Sequence, residues 1–132
     1  MMLNIIYLIL ISYVIGGSLG SFANMLIYRL SYNVSFKKSR SFCPTCQHNL
    51  SVKDLIPVIS FILQKGLCNY CLSKISFRYI LVELIMIITT LVFIVPNSPV
   101  YLFLQLFIFL YCSLILFYTD IETYLLPLSI NG

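Results

Sequence analysis

The 132-residue chain is 61% hydrophobic and only 9% charged, with a net charge of +4 and a mean hydropathy of +1.01. A soluble domain carries about 25% charged residues, and a disordered chain is polar and highly charged, so both classes are excluded. At roughly 100–200 residues per domain there is room for one compact unit, embedded in a membrane.

Met1 to Tyr28 contains no Asp, Glu, Lys or Arg, and about 20 such residues suffice to cross a bilayer, so residues 1–30 read as span one. A signal peptide would need a basic start, an apolar region of about 7–15 residues and a small-residue cleavage site, none of which is present. Gly16, Gly20 and Asn24 recur every fourth residue and share one helix face. Small residues at that spacing let helices approach closely, and a buried Asn adds a hydrogen bond between them.

Residues 31–78 read as a basic loop. All eight cations, Arg29, Lys37, Lys38, Arg40, Lys53, Lys65, Lys74 and Arg78, fall between positions 29 and 78, with Asp54 as the one acid among them. Short basic loops stay in the cytosol, which places this loop inside and the N-terminus outside. The charge reads as a topogenic face for membrane lipids, with no nucleic acid as partner. Leu55 to Leu63 is apolar but holds Pro57 and is too short to cross, so it reads as interfacial or packed against the membrane.

Cys43-Pro44-Thr45-Cys46 and Cys68-Asn69-Tyr70-Cys71 are two CxxC pairs separated by 21 residues, just outside the zinc-ribbon spacing of about 15–20. Zinc takes four thiolates in a tetrahedron, and each two-residue gap lets a pair grip one edge. Thiols in a cytosolic loop stay reduced, which favours zinc over disulfide or redox use. Four thiolates leave no open position, so the metal is structural and supplies folding energy to a loop too small for its own core. His48 reads as a solvated histidine, and Cys112 as a small apolar residue within a span.

Tyr79 to Val95 reads as span two and Val100 to Thr119 as span three, joined by the turn Pro96-Asn97-Ser98-Pro99. Glu83 lies about one turn inside span two, where an ionisable group needs a partner; Arg29 and Arg78 at the same boundary are the obvious ones. An anchoring ion pair and a catalytic carboxylate both stand for it. Asp120 and Glu122 emerge on the side of the basic loop. If span three ends near Thr119, Asp120 faces the negative end of the helix dipole at a cost of about 0.3–1 kcal/mol, so either a functional role or a plain boundary charge must explain it. The architecture is an all-α integral membrane protein of three transmembrane helices, its cytoplasmic loop pinned by a four-cysteine metal site, with residues 120–132 starting a further region.

Several segments, in order, resemble prepilin leader peptidases, the bifunctional membrane aspartic proteases of type IV pilus, type II secretion and DNA-uptake systems. They are Gly20-Ser21-Phe22-Ala23-Asn24-Met25-Leu26-Ile27-Tyr28-Arg29-Leu30, then Arg40-Ser41-Phe42-Cys43-Pro44-Thr45-Cys46 and Asp54-Leu55-Ile56-Pro57-Val58-Ile59-Ser60-Phe61. Gly66-Leu67-Cys68-Asn69-Tyr70-Cys71, Ile75-Ser76-Phe77-Arg78-Tyr79 and Val82-Glu83 follow, and Asp120-Ile121-Glu122-Thr123-Tyr124-Leu125-Leu126-Pro127 looks like the segment bearing the first catalytic aspartate. Residues 16–90 resemble the N-terminal domain of that family. The resemblance implies an enzyme of the bacterial cytoplasmic membrane that removes a short leader from prepilins or pseudopilins. It also implies methylation of the new N-terminus from S-adenosylmethionine in those members that do both. Asp120 would be one catalytic carboxylate and Cys43, Cys46, Cys68 and Cys71 the metal ligands, with Gly20, Asn24, Arg29, Arg78, Glu83 and Glu122 in supporting places. Ser31 and Ile80 stand where the family usually has proline.

The family's second catalytic aspartate lies in a later Gly-x-Gly-Asp segment, which the 132 residues do not contain. Aspartic proteolysis needs two carboxylates close enough to share a proton. The four acids are Asp54, Glu83, Asp120 and Glu122, and residues two apart on a helix do not face each other. A dimer pairing two copies of Asp120 is geometrically conceivable. The expectation is an N-terminal part, truncated and inactive by itself, or completed by a separate chain. A non-catalytic zinc-loop adaptor and a membrane thiol-disulfide oxidoreductase are the rival classes.

Overall fold

A computed structural model describes residues 2–35, 40–94 and 100–130. Four α-helices run in chain order: α1 (Met2–Ser31), α2 (Ile59–Leu63), α3 (Arg78–Ile94) and α4 (Val100–Ile130), with a 3-10 turn over Val52–Leu55. Lys37, Lys38 and the Pro96–Pro99 turn lie outside the described residues. Among those described there is no strand, only two isolated antiparallel bridges, Phe42 with Asn49 and Leu67 with Lys74.

The α1–α3 pair is organised by glycine. A Cβ on Gly16 would lie 2.7 Å from the Ile87 Cα, and one on Gly20 would lie 2.7 Å from the Glu83 Cα. Nothing larger than hydrogen fits at that backbone separation. One register further along, the Asn24 side-chain amide donates to the Tyr79 carbonyl at 2.9 Å, the cross-helix bond that a buried Asn supplies in an apolar surround. Helix α4 leans mainly on α1. Ala23, Ile27, Val82 and Ile115 form the small buried core where the three helices meet, and the Tyr111 hydroxyl donates to the Leu19 carbonyl at 3.3 Å.

Among the described residues, two helical segments are long and apolar enough to cross a membrane, Asn4–Ser31 and Leu104–Tyr124. Their outer faces carry exposed Ile6, Leu10 and Val14 on α1 and Ile108, Phe109 and Leu116 on α4. Such large contiguous apolar surface suits lipid rather than water. At 17 residues, α3 is about 25 Å long.

Two expectations change. Helix α4 does not stop near Thr119 but runs on to Ile130; no Gly or Pro stands between Val100 and Leu126 to end it at Thr119. Asp120 therefore sits inside a helix, and the dipole penalty of a helix end does not apply to it. Glu83, expected to pair with Arg29 or Arg78, instead accepts the Val58 backbone N–H at 2.7 Å. Arg78 is engaged by Glu122 at 2.5 Å. The reason is register: Glu83 lies on the face that meets Gly20, while Arg78 at the first position of α3 reaches sideways to α4.

Candidate metal centre and carboxylate site

The two cysteine pairs fold the same way. In each, the N–H of the first cysteine donates to the carbonyl five residues on, Cys43 to His48 at 3.0 Å and Cys68 to Ser73 at 2.9 Å. The N–H four residues on returns to the first cysteine's carbonyl, Gln47 to Cys43 at 2.9 Å and Leu72 to Cys68 at 3.0 Å. Gln47 and Leu72 both turn through φ of 57°, a left-handed conformation that bends each strand-like entry back on itself. Each turn is closed by one of the bridges noted above. The result is a pair of knuckles related by local structure, with only the CxxC spacing shared in sequence.

The knuckles bring all four Sγ atoms within 4.8 Å of one another, with Cys43 and Cys71 at 3.8 Å. A tetrahedral zinc with Zn–S of about 2.3 Å has edges of about 3.8 Å, so the donor set fits. A disulfide would bring two sulfurs to about 2.05 Å, and all five cysteines are free. The sulfurs differ in their electrostatic surroundings. Burial pushes the Cys43 thiol up, but the N–H groups of Cys46 and Thr45, helped by Ser73 and Cys68, pull it down to about 6. Cys46 also accepts from the His48 N–H, which favours its thiolate, yet burial and the neighbouring Cys71 and Cys43 sulfurs outweigh this and drive it up to about 11. Cys71 is lowered, first by the Ser73 hydroxyl at 3.1 Å. Four thiolates this close repel one another, and a divalent cation removes that conflict. His48 stays out of the sulfur cluster and lies over the Tyr70 ring, 3.7 Å between centroids. Cys112 is exposed on α4.

Asp54, which composition alone marks only as the single acid of a basic stretch, is the hub of the loop. One oxygen accepts from the Ser51 hydroxyl at 2.7 Å and the Ser51 N–H at 2.9 Å, and the other from Gln64 at 2.9 Å and Asn69 at 2.8 Å. The Ser51 hydroxyl is the main reason its carboxyl is held below the usual range. This one side chain ties the turn at Val52–Leu55 to the exit of α2 and to the second knuckle. The signal was available as Ser51-Val52-Lys53-Asp54, a capping-box spacing.

Beneath the knuckles lies a cavity of about 510 Å³, lined by Asn24, Tyr28 and Arg29 of α1, Arg78, Tyr79 and Glu83 of α3, loop residues including Cys43 and Asp54, and Glu122 of α4. Arg78 is 8% exposed, stacks over Tyr79 at 4.7 Å and holds Glu122. The Arg29 guanidinium donates to the Ser35 carbonyl at 3.5 Å. Asp120 does not line the cavity; it is exposed on another face of α4. Two helical residues are about 200° apart in rotation, so Glu122 and Asp120 cannot point into one site. The structure thus joins Asn24, Arg29, Arg78, Glu83 and Glu122 around one space and leaves Asp120 beside it.

The description "Bacterial Peptidase A24 N-terminal domain" matches residues 14–96. The chain is similar to proteins named prepilin leader peptidase/N-methyltransferase. It is 40% identical to that of Vibrio cholerae over 87 residues, covering 60% of this chain and 34% of the relative. It is 35% identical to that of Bacillus subtilis over 120 residues, covering 89% and 47%. With the relative from Pectobacterium carotovorum, identity is 33% over 143 residues, covering 86% and 48%. The chain spans a third to a half of the length of these relatives. No solved structure matches it. Glycine-packed helices, paired cysteine knuckles and a match over most of the chain together place it in the family of the bacterial peptidase A24 N-terminal domain.

Proposed function

We propose that this chain is the N-terminal part of a prepilin leader peptidase, acting on type IV prepilins or pseudopilins at the bacterial cytoplasmic membrane. The observation that carries this reading is the similarity to the Bacillus subtilis relative over 89% of the chain. In this reading α1, α3 and α4 all span, the N-terminus is outside, and the basic loop and Asp120 are cytoplasmic. Support for the shared side comes from the Arg78–Glu122 pair, which fastens the turn after Asp120 to the base of the loop. Zinc on Cys43, Cys46, Cys68 and Cys71 holds that loop in shape.

Asp120 is one catalytic carboxylate, free at the surface to meet a second. The other three acids are otherwise engaged: Glu122 with Arg78, Glu83 with Val58, Asp54 with its four partners. These 132 residues alone therefore do not cleave, and the dyad is completed by an aspartate from a Gly-x-Gly-Asp segment in the same or a second chain. For the transferase named in the relatives, we assign S-adenosylmethionine to the cavity. Its volume lies in the range of about 300–1,000 Å³ usual for small-molecule sites, and Asn24 Oδ1 and Arg78 Nε are buried there without hydrogen-bond partners.

The test is leader release from a purified prepilin by the chain alone and after co-reconstitution with a chain bearing the Gly-x-Gly-Asp segment. Cleavage is expected only in the second case, and Asp120→Asn should abolish it while Glu122→Gln should not. Cleavage by the chain alone, or activity that survives Asp120→Asn, removes the reading of Asp120 as half of a dyad.

A further inference from the structure

We infer that residues 54–64 form a re-entrant apolar wedge inserted among lipid acyl chains, its tip held inside the bilayer by Glu83. This rests on α1 crossing a membrane and is independent of any peptidase activity.

The depth of the segment is set by what its tip touches. The Pro57 carbonyl accepts the Tyr13 hydroxyl at 2.7 Å, and a Cβ on Gly17 would lie 2.8 Å from the Pro57 Cβ. Gly17 precedes Arg29, the last-turn cation of α1, by twelve residues, about 18 Å along the helix axis. Pro57 thus packs near the middle of the apolar span Asn4–Ser31 rather than at its charged end.

At that depth every backbone polar group must find a partner within the protein. Several N–H groups of the segment have such partners. Val58 N–H is taken by Glu83, and Ser60, Ile62 and Gln64 N–H groups donate to the carbonyls of Ile56, Val58 and Ser60 at 2.9–3.1 Å. Val58 adopts φ of 61° and ψ of −50°, a conformation that a β-branched residue holds only when its surroundings impose it. The imposed contact is the Glu83 carboxylate. An acid one turn inside an apolar helix then has a structural reason: it is the acceptor for a chain reversal packed against α1 and α3.

The neck of the wedge is closed by Gln64 donating to Asp54 at 2.9 Å. Exposed Lys53 and Lys65 flank it, where long cationic side chains can reach the headgroups. Between neck and tip the outward side chains are apolar: Ile62 is 61% exposed, Leu63 75% and Ile59 44%. The contacts of Pro57 with Tyr13 and Gly17 set this surface beside the helix face that, at a spacing of three and four residues, also carries exposed Leu10 and Val14, which makes lipid its occupant.

The chain contains no tryptophan, so single replacements each give one fluorescent reporter. Ile62→Trp and Leu63→Trp would be placed in the full chain in lipid nanodiscs, with Val14→Trp as the lipid reference and Thr45→Trp, on the first knuckle, as the water reference. Both wedge reporters should match Val14→Trp in quenching by brominated acyl chains and be quenched by acrylamide several-fold less than Thr45→Trp. Acrylamide quenching like that of Thr45→Trp at either position overturns the wedge. Protection from both quenchers, the signature of a protein partner or a second copy, overturns it equally.

Discussion

Helices α1 and α3 and the knuckles between them are stitched together by short-range, directional contacts, whereas α4 is held by a few contacts spread along its middle and its later turns. The first region has glycines that admit backbone against backbone, the Asn24–Tyr79 bond, and an acid at the centre of each subsite, Asp54 and Glu83. The second touches the rest through Tyr111, a small core around Ile115, and the Arg78–Glu122 pair. A helix with so few directional contacts is less firmly fixed than the scaffold beside it.

The sharpest way to break the contrast is to remove a sulfur. Cys68 is 4% exposed within the cluster, and a structural zinc contributes roughly 10 kcal/mol to folding at neutral pH. Cys68→Ser should abolish stoichiometric zinc by elemental analysis and leave the loop open to protease while α1 and α4 stay helical. Next in size, Arg78→Leu strands Glu122 without its cation; loss of one partner from a largely buried pair costs about 3 kcal/mol. Cross-linking between α4 and the loop should fall in that variant and recover when the charges are exchanged in Arg78→Glu with Glu122→Arg.

A smaller effect distinguishes the two packing modes. Gly20→Ala forces a methyl against the Glu83 Cα and should lower stability by about 2 kcal/mol, measured by denaturant titration in detergent. Leu116→Ala, on the exposed face of α4, should change it by less than about 0.5 kcal/mol. Asp54→Asn falls between these two, at about 1 kcal/mol at neutral pH from the hydrogen bonds it weakens. The carboxyl of Asp54 is lowered in the folded chain, so its contribution is present above the unfolded value of about 3.9 and lost as pH falls through the folded one. The gap between wild type and variant should close in acid titrations.

Much of the candidate site was readable before any coordinates. The CxxC pairs need only their spacing to announce a tetrahedral donor set, and Gly16, Gly20 and Asn24 need only helical periodicity to share a face. Glu83 was misassigned because an acid near two arginines suggests an ion pair, while its true partner is a backbone N–H 25 residues earlier. No local pattern encodes such a contact. The matching fold of the two knuckles was equally hidden, since their hydrogen bonds are made by main-chain atoms that any residue supplies.

Composition together with uninterrupted apolar runs pointed to a membrane before any fold was known, because transfer energy sums along a run long enough to cross. The four cysteines as a candidate donor set and the faces of the helices followed from local geometry. Which acid meets which partner was decided only in the folded chain: Glu122 reaches the cavity and Asp120 does not, because the rotation of α4 against α1 and α3 is a property of the packing. Desolvation makes each such pairing consequential, and the distances that govern it exist only once the helices have met.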